Sequence, residues 1–130
     1  MKQSFNKDEK LKSKKQIEFL FQRGKSSVIY PLKIIWYFTE EPLQARAKVL
    51  IGASRRGLKK ATDRNKTKRR IREAYRRNKN NMVESLEKTD QYCALGILYL
   101  GKEMSSFKEM EKKIIDLMHR LIEDNEKNSG

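Results

Sequence analysis

The apolar positions first fall at helical spacing. Ile17, Leu20 and Phe21 share one face, Ser13 and Gln16 form a capping box, and Gly24 ends the run. This predicts a short helix over residues 13–23. The period then shortens. Ser26–Tyr30, Pro31 and Leu32–Phe38 make short, branched and aromatic runs of the kind strands favour, with Pro31 suited to an edge or bulge. Glu40-Glu41-Pro42 marks a turn and Ala47–Ala53 reads as another strand. Two apolar stretches joined by that turn predict an antiparallel pair.

Beyond a basic, Gly-containing connection over Ser54–Ala61, helical spacing returns. Ile71, Ala74, Tyr75, Met82 and Leu86 predict one long helix over residues 62–87, with Thr62 or Asp63 as N-cap. Tyr92–Leu100 is almost continuously apolar, as befits a central strand buried on both faces. Ser106 and Glu109 form a second capping box. Phe107, Met110, Ile114, Leu117, Met118 and Leu121 then line one side of a last helix. The order α-β-β-β-α-β-α describes an α+β, two-layer sandwich in a single domain. Its expected limits are residues 11–123, with a mobile segment over 1–10 and a disordered tail over 124–130.

Charge changes the picture more than composition does. The 130 residues hold 31 Lys or Arg against 17 Asp or Glu, a formal charge of +14. Such a chain repels itself when compact and attracts polyanions, nucleic acid or an anionic membrane surface. The charge is concentrated. Between Arg55 and Lys79 stand 13 Lys or Arg and two Asp or Glu, which supplies eleven of the fourteen net charges. Asn65, Arg69, Arg72 and Arg76 lie at i, i+4, i+7 and i+11, one stripe of a helix, with Lys68 beside it. Lys66, Arg70 and Arg77 lie on another side, read as exposed. Like charges four apart destabilise an isolated helix, so a counter-anion is the simple reason for accepting them repeatedly. Guanidinium forks grip phosphate in bidentate fashion and stack on bases, and Asn65 can both donate and accept. The bland reading is a solvated basic helix without a specific partner.

The run Arg64-Asn65-Lys66-Thr67-Lys68-Arg69-Arg70-Ile71-Arg72-Glu73-Ala74-Tyr75 resembles the Arg-Asn-Arg motif of the bacterial ribonuclease P protein family, with Lys66 where Arg is usual. Ala53-Ser54-Arg55-Arg56 resembles that family's strand end, and the connection from there to Arg64 is about one residue longer than usual. Leu11-Lys12, Ile17, Phe21 and Gly24-Lys25 resemble its first helix, with Ile17 where an aromatic is common. The likeness covers about residues 11–123. It implies the same sandwich with a left-handed βαβ crossover. It also implies a protein without catalytic residues, serving a ribozyme that uses Mg²⁺ to hydrolyse the 5′ leader from precursor tRNA. Mg²⁺ would be held mainly by the RNA. By position, Arg64, Asn65, Lys66, Lys68, Arg69, Arg72 and Arg76 would touch the ribozyme. Phe21, Lys33, Trp36, Ser54 and Arg55 are candidates for the leader cleft, in which aromatic faces stack on unpaired bases. Phe21 and Trp36 serve as readily for packing, and Ser54 as a strand-end cap. The expected partners are ribonuclease P RNA and precursor tRNA, without DNA or membrane, the protein being monomeric in the assembly.

Other chemistries find little support. His119 is the only histidine, Cys93 the only cysteine, and no metal-ligand cluster or Gly-rich phosphate loop is evident. A lone cysteine forms no internal disulfide and fits a reducing compartment, and the longest apolar runs fall well short of a bilayer span, so a cytoplasmic location is expected. One rival is a ribosomal or other structural RNA-binding protein without a role in cleavage. A second rival is a DNA-binding or membrane-surface module with Ile71, Tyr75, Met82 and Leu86 exposed.

Overall fold

The computed structural model describes residues 7–128. A 3₁₀ turn at Lys7–Glu9 leads into α1 (Lys14–Arg23), a hairpin of β1 (Lys25–Ile29) and β2 (Leu32–Thr39), then β3 (Ala47–Ala53), α2 (Ala61–Asn78), α3 (Asn80–Lys88), β4 (Tyr92–Tyr99) and α4 (Phe107–Asn128). The expected α+β sandwich is present, with one four-stranded sheet ordered β1-β2-β4-β3. Helix α1 begins where its sequence indicates, with the Ser13 half of the expected capping box and without the return bond from Gln16. Ser13 Oγ accepts from the Gln16 N–H at 3.3 Å. At the other end a Cβ on Gly24 would collide with the Leu20 carbonyl oxygen.

Several expectations are corrected. The stretches joined by the Glu40–Pro42 turn do not pair. Strand β4, apolar on both faces, takes the centre, antiparallel to β2 and parallel to β3. The single helix expected over 62–87 is broken at Lys79, which is buried and ion-paired with Glu9. Across the break, Met82 and Leu86 of α3 still share the main core with Ile71 and Tyr75 of α2. Neither Thr62 nor Asp63 caps α2. The N-cap is Lys60, without a side-chain bond. Arg64 ties the approach instead, its Nη1 donating to the carbonyls of Leu58 at 2.7 Å and Lys59 at 2.9 Å.

The limits of the domain also shift. Of the segment expected to be mobile, residues 7–10 lie against β3 and Glu9 is buried, while residues 1–6 fall outside the described part. The tail expected to be disordered from 124 continues α4 to Asn128, and only Ser129 and Gly130 fall outside. Polar anchors replace apolar periodicity there. Asp124 accepts from Trp36 and Lys25, and buried Asn125 bonds Ser85 and Thr89.

The sheet has two unlike faces. On one, Leu32, Ile34, Trp36, Leu95, Ile97 and Tyr99 pack with residues of α2, α3 and α4 in the main core. On the other, Leu11, Leu20, Ile35 and Ala94 form a smaller core beneath α1. Gly96 allows this close approach, since a Cβ there would sit 3.1 Å from Ile35 and 3.6 Å from Leu20.

Candidate nucleic-acid interface

Helix α2 carries the basic block and divides into three sides. Its apolar side, Ile71, Ala74 and Tyr75, is fully buried, as are Met82 and Leu86 of α3. Burial raises the pKa of the Tyr75 phenol. An amphipathic element with this face exposed is thereby ruled out.

A second side is tied to the rest of the protein. Arg70 and Arg77, read from the sequence as an exposed side with Lys66, face α4 and the loop before it. Arg70 Nη1 donates to the Ser105 carbonyl at 2.8 Å. Arg77 pairs with Glu111 at 3.5 Å and lies over the Phe107 ring at 5.5 Å. Asn78 also reaches Glu111, at 3.0 Å. These cations hold the helix to α4.

The third side carries the predicted stripe. Asn65 and Arg69 are exposed, Lys68 beside them is half-buried, and exposed Lys66 stands between this side and the second. Among the described residues, none of the four makes a side-chain hydrogen bond or ion pair. The stripe changes character along its length. Arg72 is half-buried and lines a cavity of about 210 Å³ together with Lys10, Lys12 and β3. Arg76 pairs with Glu73 at 2.5 Å, and this bond holds the Glu73 carboxyl below its ordinary pKa. Arg64 is committed to the carbonyls that precede α2. Of the seven predicted contact residues, then, Asn65, Lys66, Lys68 and Arg69 form an unengaged ridge, Arg64 and Arg76 are engaged, and Arg72 sits at the ridge's inner edge.

The open face of the sheet supplies a second surface. Registry places Val28, Lys33, Leu98 and Gly52 in one row across all four strands, one pleat beyond the row that α1 covers. Val28 is exposed and the other three are half-buried, so this row is accessible. Leu20 seats α1 on the sheet and Phe19 meets Tyr37 edge-on, with ring centroids 4.8 Å apart. Phe21 lies about 200° around the helix from Phe19, which turns it toward the open row. It is 54% exposed. Lys33 lies in the row itself, and Ser54 and Arg55 stand just past the end of β3. Ser54 Oγ accepts from the Arg56 N–H at 3.2 Å, and Arg55 is exposed.

Trp36 does not belong to this surface. It is 5% exposed on the opposite face, and its Nε1 donates to Asp124 at 2.8 Å. The alternation of β2 separates it from Lys33 and is legible in the sequence. The same alternation across β1, β3 and β4 was the signal that could have found Val28, Gly52 and Leu98.

Nothing else in the fold competes as a reactive centre. Cys93 is buried and its thiol pKa is pushed up by burial. His119 is exposed on α4. Among the described residues no group of three His, Cys, Asp or Glu could hold a metal ion, and no helix is long and apolar enough to cross a membrane.

Comparison with known proteins agrees with the expectation from the Arg64–Tyr75 motif. The family model for ribonuclease P matches residues 5–122. The ribonuclease P protein component of Chlorobium phaeobacteroides is 30% identical over 128 residues, covering 91% of this chain and 88% of that protein. Its counterpart in Porphyromonas gingivalis is 29% identical over 107 residues, covering 82% and 78%. The fold is shared with the RNase P proteins of Staphylococcus aureus (TM-score 0.71, 15% identity, 88% of this chain and 96% of that one) and Thermotoga maritima (TM-score 0.65, 23% identity, 86% and 96%). The chain belongs to the ribonuclease P protein family, the protein component of a tRNA-processing ribonuclease whose partner is RNA.

Proposed function

We propose that the protein docks on the catalytic RNA through the α2 ridge and holds the 5′ leader of precursor tRNA on the open sheet face. The observation that carries this reading is the unengaged ridge of Asn65, Lys66, Lys68 and Arg69 on a helix whose other basic residues are largely tied down. A helix that keeps cations unpaired beside one another accepts repulsion that phosphates relieve. Arg72 and Arg76 extend the contact at the inner end, Arg76 by exchanging Glu73 for a phosphate.

On the sheet, Phe21 offers a stacking surface, Val28 and Leu98 an apolar floor, and Lys33 and Arg55 positive charge. Stacking and backbone attraction accept many sequences, as binding to diverse leaders requires. Only the precursor carries a leader, so this grip favours precursor over product. The cleavage chemistry belongs to the RNA, with Mg²⁺ bound there. The protein's part is to position the leader and to lessen repulsion between two RNAs.

Reconstitution tests the proposal. The protein is mixed with ribonuclease P RNA from the same genome and a precursor tRNA at low Mg²⁺. The expected result is stimulated 5′ cleavage together with tighter binding of precursor than of the leaderless tRNA. Absence of stimulation rejects the role in cleavage. Stimulation without leader-dependent affinity rejects the sheet face as the leader site.

A further inference from the structure

A cleft of about 650 Å³ lies at the N-terminal end of α1, between the first described residues and the β2–β3 loop. It opens at the N-terminal end of β3, away from the Ser54–Arg55 end of that strand. Four lysines line it, Lys7, Lys10, Lys12 and Lys48, with Asp8 as the one carboxylate. Lys48 is the telling member. It is only 7% exposed, and its ammonium donates to the neutral Gln44 side chain. Among the described residues no carboxylate lies within ion-pairing distance of it. A buried cation without a counter-charge is costly, and three further lysines at the same cleft raise that cost.

Two further observations point the same way. The first turn of α1 holds no acidic residue and instead carries Lys14 and Lys15, although the positive end of a helix favours acids. Gln16 also lines the cleft, and its side-chain oxygen is buried without a hydrogen-bond partner among the described residues. Rotating that amide by half a turn would present N–H groups to an anion. The cleft is also continuous with the α2 stripe. Lys10 and Lys12 line both it and the smaller cavity that contains Arg72.

We propose that this cleft is a second phosphodiester-binding site, reached from α2 past Arg72, Lys10 and Lys12 and centred on Lys48. It rests on the reading of the protein as an RNA-binding subunit, and it assigns contacts outside both the Arg-Asn-Arg motif and the open sheet row. Its phosphates come either from the catalytic RNA or from the distal part of a long leader.

The test is the double variant Lys7→Gln/Lys12→Gln, whose two side chains are exposed and do not support the core. Salt dependence of binding is measured in two arms: protein with ribonuclease P RNA, and holoenzyme with precursor tRNA carrying a long or a short leader. Two lost phosphate contacts lower the log–log slope by about 1.4 to 1.8. A drop in the first arm assigns the site to the catalytic RNA. A drop confined to the long leader assigns it to the leader. Unchanged slopes in every arm overturn the proposal. Arg69→Ala serves as the reference. If it lowers the slope in the first arm while the lysine variant does nothing anywhere, only the second site fails. If neither variant changes any slope, RNA binding through α2 fails as well.

Discussion

The two polar flanks of α2 are built from the same residue types and do different work. Toward α4, Arg70 and Arg77 end on a carbonyl, a carboxylate and a ring of their own chain. On the other flank, Asn65, Lys68 and Arg69 meet no partner among the described residues, and neither does Lys66 between the two flanks. Composition alone treats all of them as one basic block. The difference teaches that a guanidinium is most readily available to an interface where the fold leaves it without a partner. An engaged arginine must lose an internal bond before it can gain an external one.

The largest effect is expected on the side of α2 that neither flank shows. Ile71→Ala removes a fully buried side chain from the main core and should destabilise the protein by about 2–5 kcal/mol in urea unfolding. A loss below 1 kcal/mol would mean that α2 is loosely seated, and the contrast between its flanks would lose its basis.

The sheet offers a parallel contrast between Phe21 and Trp36. Phe21→Ala should weaken leader-bearing precursor by about tenfold, from stacking worth roughly 1–3 kcal/mol per base, with stability nearly unchanged. Trp36→Phe should do the reverse. It leaves Asp124 without its indole donor and costs about 1–2 kcal/mol of stability, with the preference for precursor intact. Equal effects of the two variants on leader affinity would contradict the assignment of Trp36 to the closed face.

A smaller gain is expected from Glu73→Gln. The Arg76 bond holds the Glu73 carboxyl ionised well below neutral pH, so in the wild type this pairing persists at pH 7. Its contribution to stability is present above the ordinary carboxylate range and is lost as pH falls through the lowered folded pKa. Removing the charge frees Arg76, and the salt slope for RNA binding should rise by up to about one unit. An unchanged slope would place Arg76 outside the contact.

Much of this protein can be read from local pattern. Ser13, Gln16 and Gly24 delimit α1, the unbroken apolar run of β4 requires the centre of the sheet, and the Arg64–Tyr75 motif marks the basic helix α2. What escapes such reading depends on partners distant in sequence. Lys79 interrupts the long helix and pairs with Glu9. Arg70 finds a carbonyl in the loop before α4. The polar end of α4 is held by Asp124 and Asn125. None of these contacts has a periodic signature. Trp36 is a different case, because the two-residue period of β2 already sets it on the face opposite Lys33, and aromatic character alone misplaces it.

The most direct measurement compares salt dependence of binding to ribonuclease P RNA for two double variants. Lys68→Ala/Arg69→Ala removes cations that have no partner among the described residues, whereas Arg70→Ala/Arg77→Ala removes cations that do. The first should lower the log–log slope by about 1.8, at roughly 0.9 per phosphate contact, and the second should leave the slope unchanged while lowering stability. Equal slope changes in the two variants, or none in the first, would contradict the claim that the unengaged ridge of α2 is the RNA-docking surface.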